Sequence, residues 1–424
     1  DVELSSYFVG RLGEAEMAAG HAQEGKTLLA RALRLAEQMQ YRRYQRLWHI
    51  TIAKLATQEG AYAEAHRHYD AALKMMPASA PEAESVLREM AYVCLHVGHI
   101  DDAVTYADRA HLLEPDNPQI KGVLGMALRA SGRSREAIPY LEAAASDGEP
   151  LDILRALAAA RDDLHNEQAA YGTYQHALAL ARQRHDLLEQ ARALRDIGLH
   201  HTRYNRHADA IKAFSESLEL YDKQGYSTQS ARLHCDIANL RVYLGQNARA
   251  MKDYEQALMR LGTSNDLETR GIVLSNAAPA YVDKGDLETA ESFMAESIQI
   301  AQKLHDTAAE ATRQGNYGWY LLVTGRIKRA VGSLEYALQQ SSKLNLTLVM
   351  AVQSMNLGQA YAEFGEVPKG EHHIRQGLAL AESLNNLYWA SVIRATLAAH
   401  LLRFGGSLEE AEALVQHALN DAQT

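Results

Sequence analysis

The chain has 424 residues, of which 47% are hydrophobic, and its formal net charge is −10 at pH 7. The acidic balance disfavours nucleic acid as a partner, and no run of about 18 apolar residues is present to cross a membrane. No charged-then-apolar leader opens the chain, and Cys94 and Cys235 lie far apart in the sequence, so we expect a reducing, cytoplasmic location.

Turn residues recur along the chain at a nearly fixed interval. The predicted turns fall at Gly20, Gly60, Gly98, Gly132, about His165, Asn205, Gly245, Gly285, Gly325, Gly365 and Gly405/Gly406. The interval shortens between Gly60 and His165, and from His165 to the end it is constant. Glycine or asparagine tolerates the left-handed backbone that ends a helix. The spacing therefore predicts an all-α solenoid of about eleven helix–turn–helix units.

Residue size also repeats after each turn. Five residues after the turn stands a small residue: Ala65, Ala103, Ala137, Ala170, Ala210, Ala250, Ala290 and Ala330. Nine residues after it stands a bulky one, such as Tyr69, Phe214 or Leu334, and twelve residues after it a small one again, such as Ala72 or Ser217. We expect the small side chains to let neighbouring helices approach closely.

These columns resemble the tetratricopeptide repeat family, and the stretch "GHIDDAVTYADRAHLLEPDNP", residues 98–118, carries the likeness most clearly. The resemblance implies a right-handed superhelix whose first helices line a concave groove. The longer repeats of the later part resemble the sensor regions of MalT-like bacterial STAND regulators and the Pins/LGN-type scaffolds. The change of repeat length near "SDGEP", residues 146–150, predicts two continuous segments, residues 1–148 and 149–424.

Polar residues occupy the column nine positions before the turn in the later repeats: Asp196, Asp236, Asn276, Asn316 and Asn356. On the geometry of the resembled family this column faces the groove, where an amide can donate to and accept from a peptide backbone. Neighbouring columns add Arg192, Arg195, Arg232, Asn239, Tyr243, Trp319 and Gln359. The predicted groove is thus charged over residues 192–243, and over residues 276–359 it is lined by amides with one aromatic residue.

A structural interpretation of the same residues carries equal weight. Asparagine in this column can form hydrogen bonds within the stack of repeats, and Trp319 can serve packing. Arg192 with Asp196, and Arg232 with Asp236, have the i,i+4 spacing of intrahelical ion pairs. The lysine and asparagine of a carboxylate clamp are not assembled, because their columns contain residues such as Arg195, Ser275 and Met355.

The sequence contains no phosphate-binding loop and no nucleophile elbow, and only His96 and His99 have helical metal-ligand spacing, across a turn. We therefore predict no enzyme, no cofactor and no metal site. The predicted function is recognition of a protein or peptide in the groove, as the sensor or partner-binding part of a larger regulator with its own effector domains. Two alternatives remain: a free-standing scaffold, and a small-molecule inducer sensor, which a pocket closed on several sides by first helices would favour.

Two further expectations concern the ends and one proline. The chain begins with Asp1 inside a predicted helix, which indicates a fragment of a larger protein. The last helix, Leu408 to about Ala422, leaves Leu414, Val415, Ala418 and Leu419 uncovered and predicts self-association or missing sequence. Pro279 lies inside a first helix on the expected groove side, where it would kink the helix or widen the groove.

Overall fold

The computed structural model describes residues 2–77, 82–262 and 266–423, so that Asp1 lies outside the described part. Over these residues the regular secondary structure is helical and includes no strand, which confirms the all-α prediction. None of the described helices is both long enough and apolar enough to cross a membrane.

The chain divides into two compact units, Asp1–Arg206 and His207–Thr424. The first contains α1 Val2–Ala18, α2 Ala22–Gln38, α3 Arg42–Gln58, α4 Tyr62–Lys74, α5 Ala83–Val97, α6 Ile100–Leu113, α7 Pro118–Ala130, α8 Ser134–Ala145, α9 Leu151–Asp163, α10 Glu167–Gln183 and α11 Leu187–Arg203. The second contains α12 His207–Gln224, α13 Ser227–Tyr243, α14 Asn247–Leu261, α15 Leu267–Lys284, α16 Leu287–Lys303, α17 Thr307–Val323, α18 Ile327–Lys343, α19 Thr347–Phe364, α20 Val367–Ser383, α21 Leu387–Phe404 and α22 Leu408–Gln423. The boundary predicted between residues 148 and 149 lies inside the first unit, and as a change of repeat type it stays a prediction.

Each predicted turn contains a residue with positive φ. Glycine supplies it at most of these positions, while His165 and Asn205 adopt φ of 57° where glycine is absent. A second set of positive-φ residues lies about halfway between successive turns: His185, Gly225, His305, Asn345 and Asn385. These residues form the joints between successive repeats.

The size columns form the packed interior of the stack. All eight alanines that stand five residues after a turn are 0% exposed, and the bulky residues nine after it, such as Phe214 and Leu334, are buried too. The helices approach closest where glycine replaces alanine: a Cβ placed on Gly358 of α19 would lie 2.5 Å from the carbonyl oxygen of Gly370 in α20. The repeat columns therefore set the distance between helices.

The last helix, α22, leaves apolar side chains uncovered among the described residues. Val415 and Leu419 are 42% and 52% exposed, while Leu414 packs partly against the core of the preceding repeat. Self-association through this surface stays a prediction.

Candidate functional site

The asparagine column is used for hydrogen bonds between repeats of the second unit. Nδ2 of Asn316 donates to Oγ of Ser275 over 3.0 Å, and Nδ2 of Asn276 lies 3.7 Å from Sγ of Cys235. Each partner stands 41 residues earlier, in the equivalent helix of the preceding repeat. Burial raises the pKa of Cys235 to about 12, so its sulfur accepts as a neutral thiol. The structural interpretation of these two asparagines is thus supported.

Asn356 differs from the other members of the column. The residue that corresponds to Cys235 and Ser275 in the repeat before Asn356 is Gly315, which has no side chain to accept a hydrogen bond. Asn356 is only 5% exposed, and its Oδ1 has no hydrogen-bond partner among the described residues. Because an unpaired buried carbonyl typically costs about 1–3 kcal/mol, this oxygen is a candidate acceptor for a ligand.

Five of the predicted site residues of the second unit line one cavity of about 520 Å³. We call this cavity the amide pocket. Its predicted members are Asn239, Asn276, Asn316, Trp319 and Asn356. They come from α13, α15, α17 and α19, the first helices of four successive repeats. The constant repeat spacing therefore brings together side chains as distant in sequence as Asn239 and Asn356.

Apolar and aromatic side chains complete the walls of the amide pocket. Its other lining residues are Val242, Tyr254, Ser275, Pro279, Val352, Met355, Tyr388, Trp389 and Val392. The lining residues of the described chain thus include two of the protein's three tryptophans and no Asp, Glu, Lys, Arg or His. An uncharged lining of this kind disfavours a charged group, whose desolvation nothing in the pocket would offset.

Pro279 lies in the wall of the amide pocket, on the side predicted from its column, and α15 continues through it from Leu267–Lys284. Proline has no N–H to donate to the carbonyl of Ser275, four residues earlier. Ser275 itself lines the pocket. The backbone carbonyl oxygen of Ser275 therefore lacks the helical N–H donor of residue 279. It is the second oxygen of the wall, besides Asn356 Oδ1, without its ordinary donor.

First helices enclose the amide pocket on several sides. The rings of Tyr243 on α13 and Tyr388 on α21 are 6.1 Å apart, although four repeats separate these two helices. Tyr254 adds a buried ring from α14, and its hydroxyl donates to Oδ1 of Asn239 over 2.6 Å. The pocket is therefore bounded by α13, α15, α17, α19 and α21.

The three predicted residues of the first unit have mainly local partners. Asp196 accepts from Nε of Arg155 over 2.6 Å, and Arg192 pairs with Glu189 over 2.5 Å. Burial alone would lower the pKa of Arg155, but the carboxylates of Asp196 and Glu189 outweigh burial and raise that pKa. Arg192 and Asp196 thus pair with Glu189 and Arg155 instead of with each other. Arg195, on the same helix, is half-buried.

The remaining predicted residues of the second unit lie outside the amide pocket. Nε of the exposed Arg232 donates to Oγ1 of Thr269 over 2.8 Å. Asp236 and Gln359 are half-buried, and Tyr243 borders the pocket through its contact with Tyr388. Tyr388 and Trp389 were not predicted, because they stand at the start of α21 in columns that contain no aromatic residue in the other long repeats. The scarcity of tryptophan was the one available signal.

Comparison with known proteins agrees with the observed architecture. Residues 231–260 match the tetratricopeptide repeat family. The regulatory protein RapG of Bacillus subtilis (strain 168) is 25% identical over 143 residues, which are 34% of this chain and 39% of RapG. The matched segment therefore spans well under two thirds of that relative.

Two solved structures are similar over most of the chain. A Rap protein complexed with competence and sporulation factor has a TM-score of 0.58 at 14% identity, covering 81% of this chain and 98% of that one. The apo form of the quorum sensor NprR from B. thuringiensis has a TM-score of 0.57 at 15% identity, covering 92% and 99%. The protein has the fold of a tetratricopeptide-like helical solenoid.

Proposed function

We propose that the second unit recognises a peptide in the amide pocket and that this recognition, without catalysis, regulates a partner protein or effector domain. The observation that carries the proposal is the convergence of five predicted residues on one uncharged cavity that contains the unpaired Oδ1 of Asn356. A peptide backbone offers N–H donors to this oxygen, and the two tryptophan rings can cover apolar side chains. The likeness to Rap and NprR proteins supports a regulatory role.

The polarity of the pocket limits the ligand. A segment with apolar or aromatic side chains and at least one free backbone N–H fits the lining, whereas a segment with a charged side chain at this point does not. The volume of about 520 Å³ accommodates only a few residues, so we expect the rest of a longer peptide to lie outside the pocket.

A small neutral molecule is the second candidate ligand. The lining of the pocket by five first helices and the contact between Tyr243 and Tyr388 favour it. The volume also falls in the range of about 300–1,000 Å³ that is usual for small-molecule sites. Such a ligand would carry a hydrogen-bond donor for Asn356 and an aromatic or aliphatic body.

Tryptophan fluorescence provides a direct test, because Trp319 and Trp389 line the pocket while the third tryptophan, Trp48, is buried in the first unit. Peptides selected from a random heptapeptide display library would be titrated against the intact chain, in parallel with a set of neutral aromatic amides. Asn356→Ala is the test variant, since Asn276 and Asn316 bond within the stack. Gln359→Ala is the matched control on the same helix, outside the pocket.

We expect selected heptapeptides to change the fluorescence and to bind Asn356→Ala at least tenfold more weakly, with less than a twofold effect in Gln359→Ala. If only the neutral amides bind, and their binding is also weakened in Asn356→Ala, the ligand of the pocket is a small molecule and not a peptide. If both variants bind every selected ligand as the unchanged chain does, the pocket is not the recognition site.

A further inference from the structure

A second cavity of the second unit lies on the other side of α19 from the amide pocket. This cavity, which we call the outer groove, has a volume of about 850 Å³. Its floor is formed by Met350, Ser354, Leu357 and Tyr361 of α19, and its walls by α18 and α20. At 100° per residue these four floor positions cluster on one face of α19, about opposite to Val352, Met355 and Asn356 of the amide pocket. The two cavities share no lining residue.

Two small residues that line the outer groove, Gly332 and Ser354, occur together at this repeat and at no other long repeat. Gly332 on α18 stands in a column that also contains Gly172, Lys212, Lys252, Ser292 and His372. Ser354 stands in a column whose other members are Leu194, His234, Leu274, Gln314 and Arg394. A Cβ added to Gly332 would meet nothing within 4 Å. The comparable groove between α2 and α4 of the first unit measures about 410 Å³, half as much.

The floor of the outer groove contains an unpaired polar atom. Ser354 is 0% exposed, yet its Oγ has no hydrogen-bond partner in the described part of the chain. A helical serine ordinarily bonds to the carbonyl four residues earlier. On the wall, Nδ1 of His373 is likewise buried and without a partner, and burial lowers the pKa of this histidine, so it is neutral near pH 7. The groove thus offers a hydroxyl and a neutral imidazole to a polar backbone.

The groove has the length of a short extended peptide. Its wall on α18 runs from Gly332 to Lys343, which are twelve residues and about 16 Å of helix. An extended chain of five residues spans about the same distance, at roughly 3.3 Å per residue. The volume divided by this length gives the cross-section of the groove. This cross-section fits a single extended chain better than a helix, whose diameter is about 10 Å.

The charges of the lining indicate an acidic occupant. Lys343 and Lys369 lie towards opposite ends of the groove, and Lys369 also pairs over 3.5 Å with Glu366, which is outside the lining. The single carboxylate of the lining, Glu335, accepts a hydrogen bond from the hydroxyl of Tyr361. Lys369 also lies over the ring of Tyr361, 3.6 Å from its centroid. The lining therefore carries a net positive charge in a chain whose total is −10.

We propose that the outer groove is a second binding site, which takes an extended, acidic peptide segment of about five residues from a partner protein. The backbone of the segment bonds to Ser354 and His373, its central side chains cover Met350 and the exposed ring of Tyr336, and its terminal carboxylates approach the two lysines. This site is independent of the ligand in the amide pocket.

The test uses an array of fluorescein-labelled pentapeptides with glutamate at both ends and varied residues at the three central positions, and a second array with lysine at both ends. Binding to the intact chain is measured by fluorescence anisotropy. Gly332→Lys places across the groove the side chain that α12 and α14 carry at this position, and Gly332→Ser is its matched control. Because an added Cβ at Gly332 has free space, both variants keep the fold, which circular dichroism verifies.

We expect glutamate-flanked peptides to bind, Gly332→Lys to weaken them at least tenfold and Gly332→Ser to change them less than threefold. Ser354→Ala should weaken binding several-fold while leaving the melting temperature equal or higher, because the deleted hydroxyl has no partner within the protein. The proposal is wrong if lysine-flanked peptides bind as well as glutamate-flanked ones, if Gly332→Lys binds like the unchanged chain, or if Asn356→Ala in the amide pocket abolishes the binding.

Discussion

At the scale of single residues, the asparagine column combines two roles that one sequence pattern cannot separate. The amide nitrogens of Asn276 and Asn316 face the preceding repeat, where Cys235 and Ser275 accept from them. At Asn356 the preceding repeat offers only Gly315, and Gln353 fills the space beside that glycine: a Cβ there would lie 2.6 Å from Nε2 of Gln353. The same residue type is therefore structural in two repeats and has an unpaired acceptor in the third.

The bond between Asn316 and Ser275 gives a first prediction. We expect Asn316→Ala to lower the free energy of unfolding of the second unit, and the double variant with Ser275→Ala to show a coupling energy of about 0.5–1.5 kcal/mol. Urea unfolding of the four proteins of the cycle measures this energy. Gln359→Ala with Ser275→Ala is the control pair, because these residues do not bond to each other. A coupling energy near zero would mean that Asn316 faces solvent or ligand instead of the stack.

The identity of the amide-pocket residues was predictable only where their column repeats. Asn276, Asn316 and Asn356 recur at the constant repeat interval, so periodicity, together with the geometry of the resembled repeat family, placed them on one wall. Tyr388 and Trp389 belong to no such column, and their contribution depends on how far the stack curves back towards α13. Likewise, Arg155 lies one repeat before Asp196, but which of two nearby cations pairs with Asp196 depends on side-chain geometry.

At the scale of helices, α19 is the element on which both proposals depend. It is buried on nearly all sides, and it supplies one wall of the amide pocket and the floor of the outer groove. Its two unpaired polar atoms, Asn356 Oδ1 and Ser354 Oγ, each belong to one of these cavities. Because each of these two atoms also lines a cavity that a ligand can enter, we assign both atoms to ligands.

Two glycines of neighbouring helices give a second prediction, in which one chemical change has opposite effects. Gly358→Ala pushes a methyl group against the carbonyl oxygen of Gly370, so we expect it to destabilise the second unit by about 1–3 kcal/mol. Gly332→Ala adds a methyl group in free space on a helix and should stabilise the unit by about 0.5–1 kcal/mol. Urea unfolding followed by circular dichroism compares the two. Equal effects of both substitutions would show that α19 and α20 do not pack this closely.

Helix boundaries were easier to predict within repeats than between them. The turns inside each repeat carry glycine at nearly every position, and glycine is the residue that a left-handed backbone favours. The joints between repeats use the same backbone conformation with histidine, glycine or asparagine, as at His185, Gly225 and Asn345. A column of such mixed composition does not stand out in a single sequence.

At the scale of the whole molecule, the sequence predicted the fold class but not where the contacts divide the chain. Repeat length changes near residue 148, whereas the two compact units meet between Arg206 and His207. In a solenoid each repeat contacts only its neighbours, so the chain divides where the contact between two neighbouring repeats is weakest. The strength of that contact depends on side-chain packing, which cannot be deduced from repeat length.

Buried histidines of both units give a third prediction, which concerns acid stability. In the first unit, burial lowers the pKa of His49 to about 4, with a smaller contribution from His68, whose Nδ1 lies 2.8 Å from Nδ1 of His49. Burial also lowers the pKa of His68 itself, and in the second unit those of His373 and His400. In the unfolded chain these imidazoles titrate near pH 6.5.

Below about pH 6.5 the unfolded chain therefore binds protons that the folded chain does not bind, and the free energy of unfolding falls as the pH drops. We expect the melting temperature to be constant above pH 7 and to decrease steadily between pH 6.5 and 5, before most carboxylates titrate. Replacing His49 and His68 together by glutamine should flatten this decrease for the first unit, because glutamine cannot take up a proton. Thermal unfolding by circular dichroism at pH 7.5, 6 and 5 measures the slope, with the exposed His99→Gln as the control variant. A slope that is unchanged in the double variant would show that neither imidazole is held neutral by burial.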